Sequence, residues 1–232
     1  FLIGFIKKLF FADTIALVID PIFENPSLVS PGDLFKGYLL FPLQIYLYFS
    51  GYVDMALGVS IVLGISLPIN FKKPYLTYSL TEFWRNWHIT LSNWFRDYLY
   101  IPLGGSKKGK FKLFFNLILT MSIAGLWHGA SLNFIIWGFL NGVFLCMEKN
   151  FKQMTASNSV IRLCLNCFLV FNLWLIFRIT EIKDLFYYFS TLYLNVFEIF
   201  DLQNLIILSI LACGIYSQKY DNHNSIKNTK IM

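Results

Sequence analysis

TEFWRNWHITLSNWFRDYLYIPLGG, residues 81 to 105, concentrates arginines, a histidine and tryptophans in a chain that is otherwise apolar, so its polar groups require an interior rather than a lipid-facing surface. Outside it, composition sets the frame. Of 232 residues 56% are hydrophobic, 19% aromatic and 14% charged, whereas soluble domains carry about 25% charged residues. Mean hydropathy is positive. Several apolar runs exceed the roughly 20 residues needed to cross a bilayer, and none alternates as barrel strands do. The chain is therefore expected to be an all-α, polytopic transmembrane helical bundle with re-entrant or interfacial helices, in contact with the lipid bilayer. The net charge of +6 reads as basic loops on the cytoplasmic side rather than as a surface for nucleic acid.

Phe1 to Phe23 is apolar but interrupted by Lys7, Lys8, Asp13 and Asp20, which predicts a tilted or interfacial helix. The chain opens at Phe1 without an initiator Met or a signal-peptide pattern, and earlier helices are expected to precede it. Between Gly37 and Leu67 the only formal charge is Asp54, so one long or bent transmembrane helix is expected, with Asp54 inside the membrane either as a functional carboxylate or, equally, paired with Arg85 or Arg96 to brace the bundle. Ser79 followed by Glu82 is a capping-box pattern, from which a helix is predicted over Leu80 to Tyr98, with Trp84, His88, Leu91 and Phe95 on one face. Lys107, Lys108, Lys110 and Lys112 mark a cytoplasmic loop. Phe111 to Met147 is too long for one crossing and predicts a hairpin turning between Gly125 and Ser131. Apolar segments follow at about 163–179, 185–200 and 202–216. The domain is thus 1–217, with a polar tail over 218–232 expected to be disordered.

His128 lies sixteen residues beyond Lys112, about 24 Å along a helix and so deep in a core about 30 Å thick. Small residues after it, Gly129, Ala130 and Ser131, would admit a substrate, and Trp127 would form an apolar wall. His88, beside Trp84 and Arg85, is a second candidate. Asp54 is a third by virtue of its intramembrane position. Two histidines forty residues apart provide no recognisable metal-ligand set, and Cys164 and Cys167 read as small hydrophobes in a membrane helix. His223 falls in the polar tail, and Arg178 is expected to snorkel towards the interface.

Taken together, YFSGYVDMALG (48–58), LPINFKKPY (67–75), EFWRNWHITLSNWFRDYLYIPLGG (82–105), GLWHGASLNFIIWG (125–138) and the W-x-x-F-R of Trp174 to Arg178 resemble successive blocks of the membrane-bound O-acyltransferase (MBOAT) family. The likeness is greatest to its bacterial branch of alginate and peptidoglycan O-acetylation proteins. Tyr48 departs from the Asp usual at that place. The resemblance implies an acyltransferase of the bacterial inner membrane with His128 catalytic and His88 supporting, and Trp127, Trp84, Arg85, Asp54 and Ser131 around them. It implies acetyl-CoA as cytoplasmic donor with no bound cofactor or metal, a periplasmic acetyltransferase partner and a cell-envelope polysaccharide as final acceptor. A neutral imidazole in a buried site would accept the proton of an attacking hydroxyl. D-alanyl transfer to teichoic acid is the nearest rival within the family. An ion or proton transporter, a docking subunit without chemistry and an inactive fragment are the rivals outside it.

Overall fold

The computed structural model describes residues 1–150, 159–195 and 202–217, and no strand occurs among them. The first 24 residues form an almost unbroken helix: α1 (Leu2–Ile6), a π-helical stretch at Lys7–Ala12, and α2 (Asp13–Glu24). It lies along α3 (Pro31–Val62), and the two approach closely because neither Gly4 nor Gly51 carries a Cβ. An added Cβ at either would collide with backbone atoms of the other helix.

At 32 residues α3 is about 48 Å long, more than a membrane core requires. It starts six residues earlier than Gly37 because Ser30 accepts the Asp33 N–H as N-cap and Pro31 supplies a preset first residue. It ends at Val62, before Leu67, where Gly64 takes a left-handed φ of +72°.

The serine half of the capping box at Ser79 is present, Ser79 Oγ accepting the Glu82 N–H at 3.1 Å, while the Glu82 carboxylate reaches one residue further back than the cap, to the Tyr78 N–H at 2.8 Å. The single helix expected from Leu80 to Tyr98 is not. The segment is broken into α4 (Leu80–Asn86) and α5 (Ile89–Phe95), the latter running on as a π-helical stretch at Arg96–Tyr100. His88 sits at the break in the left-handed region, φ 43° and ψ 55°. Local periodicity missed this because the break is stabilised by a distant residue, Asn70. At seven residues each, α4 and α5 are too short to span a bilayer.

The predicted hairpin consists of α6 (Gly109–His128) and α7 (Leu132–Asn150), turning at Gly129 to Ser131. Gly125, Gly138 and Gly142 let these helices touch backbone to backbone, with Gly125 against the Phe134 carbonyl and Gly138 against the Met121 carbonyl. Among the described residues three helices follow: α8 (Ser159–Arg178), α9 (Ile182–Leu194) and α10 (Leu202–Ser217). The polar tail and His223 lie outside the described residues. Among those described, three helices are long and apolar enough to cross a membrane: α3, α6 and α8.

The core is aromatic and centred on α8. Trp174, Leu175 and Phe171 of α8 pack with Phe83 of α4, Trp87 just after it, Trp137 of α7, and Phe71 and Tyr75 of the long α3–α4 connection. Tyr188 of α9 is fully buried and donates to the Leu34 carbonyl of α3. Arg178 does not merely snorkel. It pairs with Asp20 at 3.0 Å, and its guanidinium lies 5.0 Å from the Phe23 ring centre.

Candidate active site

His128 is the last residue of a 20-residue helix about 30 Å long that begins beside the lysine cluster, so it stands at the far end of the span rather than within it. Its ring is held by aromatic contacts: Phe177 at 5.0 Å, Trp137 at 5.5 Å and Phe134 at 6.2 Å between centres. The residue itself is exposed on the surface of the chain, which corrects the expectation of a buried imidazole. Trp127 was to be the apolar wall, but it is 59% exposed and touches the His128 ring at 5.0 Å from one side. Trp137, 2% exposed, is the wall instead. Ser131 closes the hairpin turn, its carbonyl accepting the Phe134 N–H at 3.2 Å.

His88 is half-buried, its ring edge-to-face on Phe49 of α3 at 4.7 Å and its Nδ1 3.3 Å from Asn70 Oδ1. Burial lowers its pKa to about 4, and the proximity of His128 contributes. The two histidines thus lie within electrostatic reach of each other. A run of rings also joins them: Trp137 to Trp174 at 6.1 Å, Trp174 to Trp87 at 4.9 Å, Trp87 to Phe71 at 5.0 Å and Phe71 to Phe49 at 5.0 Å. Trp84 is tied to the same group by a hydrogen bond from its indole N–H to Asn141 Oδ1 at 3.0 Å.

Asp54 pairs with Lys7 at 2.8 Å, not with Arg85 or Arg96. Arg96 binds its neighbour Asp97 at 2.7 Å. Arg85 is exposed and makes no hydrogen bond or ion pair among the described residues. The Lys7–Asp54 pair lines a small cavity with Ser50, Asn70 and Phe71, so Asp54 borders the His88 cluster through Asn70. The structure therefore gathers His128, His88, Trp84 and, at one remove, Asp54, and leaves Arg85 and Trp127 on the outside.

Sequence reading missed Asn70, Phe49, Trp137, Asn141 and Phe177. An asparagine in an apolar chain was the available signal for two of them, since an amide buried at 1% exposure, as Asn141 is, needs partners. Among the described residues no group of His, Cys, Asp and Glu side chains is arranged to hold a metal ion. Cys167 points its thiol at the Tyr75 carbonyl, and Cys164 is exposed.

The sequence model described as MBOAT, membrane-bound O-acyltransferase family, matches residues 34–190, from α3 into α9. The chain belongs to that family. Among MBOAT relatives, it is 49% identical over 182 residues to a Pseudomonas syringae pv. tomato protein named "Probable alginate O-acetylase AlgI", covering 77% of this chain and 35% of the relative. It is 43% identical over 155 residues to the Helicobacter pylori "Peptidoglycan O-acetyltransferase", covering 67% and 29% respectively. To the Streptococcus thermophilus "Teichoic acid D-alanyltransferase" it is 32% identical over 160 residues, covering 63% and 38%. The chain thus spans about a third of the length of these curated relatives.

Proposed function

We propose that this chain carries the histidine centre of a bacterial inner-membrane O-acyltransferase, which moves an acetyl group from acetyl-CoA on the cytoplasmic side towards a hydroxyl of an envelope polysaccharide. The observation that supports it most is that His128 and His88, forty residues apart in sequence, stand at the two ends of one run of packed rings, from Trp137 through Trp174, Trp87 and Phe71 to Phe49. His128 is the general base. Its neutral imidazole takes the proton of the attacking hydroxyl as the oxygen bonds to the thioester carbonyl carbon. The C–S bond then breaks, and the proton is returned to the departing thiolate.

His88 supports the reaction, and the rings between the two histidines give the site an apolar floor on one side. Identity of 43–49% to the proteins named for O-acetylation, against 32% to the one named for D-alanyl transfer, favours acetyl as the group moved. A periplasmic acetyltransferase that completes delivery to the polysaccharide fits a centre at the end of α6 opposite the lysines.

The experiment is transfer of radiolabelled acetyl from acetyl-CoA into the envelope by cells making the full-length protein, wild type against His128→Ala at equal membrane levels. Labelling lost in the variant alone supports the assignment. Equal labelling removes His128 as the base, and no labelling from wild type removes acetyl-CoA as the donor.

A further inference from the structure

His88 occupies a backbone conformation that a non-glycine residue adopts at a cost of about 1–3 kcal/mol, and it offers α5 no side-chain cap. Both deficits are met by Asn70, eighteen residues earlier. Its carbonyl accepts the Ile89 N–H at 3.0 Å and its Oδ1 accepts the Thr90 N–H at 3.1 Å, so Asn70 caps α5 from outside the helix. The Lys72 N–H, bonded to the Asn86 carbonyl at 3.0 Å, fixes the other side of the break.

The same atom decides the state of the imidazole. A backbone amide can only donate, so the Asn70 side-chain atom facing the Thr90 N–H is the oxygen, and the amide cannot be turned the other way round. The Thr90 hydroxyl also donates to it, at 2.6 Å. His88 Nδ1, 3.3 Å from that oxygen, therefore carries a hydrogen. A flipped ring would set a C–H against Asn70 and lose the bond, while Phe49 packs edge-to-face on the ring at 4.7 Å.

We propose that Asn70 is a positioning residue of the histidine centre: it holds neutral His88 in the Nδ1–H tautomer and so leaves Nε2 as the lone-pair nitrogen that receives a hydrogen bond from a second hydroxyl of the acceptor sugar, the attacking hydroxyl's own hydrogen going to His128. The last step rests on the acyl-transfer reading; the tautomer does not. The titratable groups around the cluster are His128, at the other end of the run of rings, and Lys7 and Asp54, which share the cavity that Asn70 lines.

Two measurements on the full-length protein test it. Nitrogen-15 spectra of ring-labelled histidine, with His88 assigned by its loss in His88→Asn, should show Nδ1 protonated and Nε2 bare near pH 7. A hydrogen on Nε2 overturns the proposal whether or not the protein transfers acetyl groups. In the transfer assay, Asn70→Leu should lower kcat at least about tenfold with KM for the donor little changed, as loss of an orienting partner does. Asn70→Asp, which keeps the acceptor oxygens, should restore most of that loss and move the acidic limb of the pH profile upward, because a carboxylate beside the ring stabilises the imidazolium. Wild-type kcat in the Leu variant, or an Asp variant as impaired as Leu with an unmoved limb, would overturn it. Absent transfer by wild type with Nδ1 protonated would sink the acyl-transfer reading and with it the role of Nε2.

Discussion

Trp84 donates its indole N–H to Oδ1 of Asn141 at 3.0 Å, and this bond joins the segment that bears His88 to the hairpin that bears His128. Asn141 in turn donates to the Trp137 carbonyl at 2.8 Å, one helical turn back, so both ends of its amide are engaged. Trp84 also meets Trp137 edge-to-face at 5.6 Å, and Trp137 is the wall behind the His128 ring. Trp84→Phe preserves most of the ring contact and removes only the donor, leaving a buried acceptor unpaired. A loss of about 1–2 kcal/mol is expected. It should be read as a lower unfolding temperature in detergent together with slower transfer, and Asn141→Leu combined with Trp84→Phe should cost less than the two changes summed.

The Lys7–Asp54 pair, with side chains 19% and 17% exposed, lies between the surface and fully buried cases. Replacing one partner strands the other charge. Lys7→Met or Asp54→Leu alone should each destabilise by about 1–3 kcal/mol, and the double variant by less than either. Thermal unfolding of the three proteins decides it; strictly additive losses would mean the pair contributes no coupling.

Gly138 faces the Met121 carbonyl of α6 with no room for a Cβ. Gly138→Ala should force the hairpin apart at a cost of about 1–3 kcal/mol. Since His128 ends α6 and Trp137 precedes Gly138 on α7, transfer should fall with it. Gly64→Ala, at a glycine whose Cβ position is open, should strain only its own left-handed turn and leave the hairpin intact. Crosslinking of cysteines placed across α6 and α7 would register the separation directly.

The lowered pKa of His88 has a thermodynamic signature. The unfolded chain binds a proton at His88 below its ordinary value of 6.5, and the folded chain only below about 4. Between those values the unfolded state holds more protons, so folding stability falls as pH drops from 6.5 towards 4 and levels off below that. Unfolding temperature recorded across that window should decline in wild type and decline less in His88→Asn, which tolerates the left-handed backbone. Parallel curves would mean that His88 is not desolvated in the folded protein.

Sequence alone determined whatever depends on local composition and spacing. Apolar runs longer than a membrane core, the Ser79–Glu82 capping box and the small residues from Gly125 to Ser131 specify helices and a hairpin because each rule acts within a few residues. His128 and His88 were legible as candidates because polar groups are costly in so apolar a chain.

Tertiary structure decided the rest. The helix break at His88 depends on Asn70, eighteen residues away. Asp54 chose Lys7, forty-seven residues away, over either arginine. Trp137 rather than Trp127 became the wall behind His128, because α7 packs its buried face towards α8. Each outcome rests on which side chains meet after the helices pack, and charge, ring contact and hydrogen bonding act over a few ångströms of space irrespective of distance along the chain.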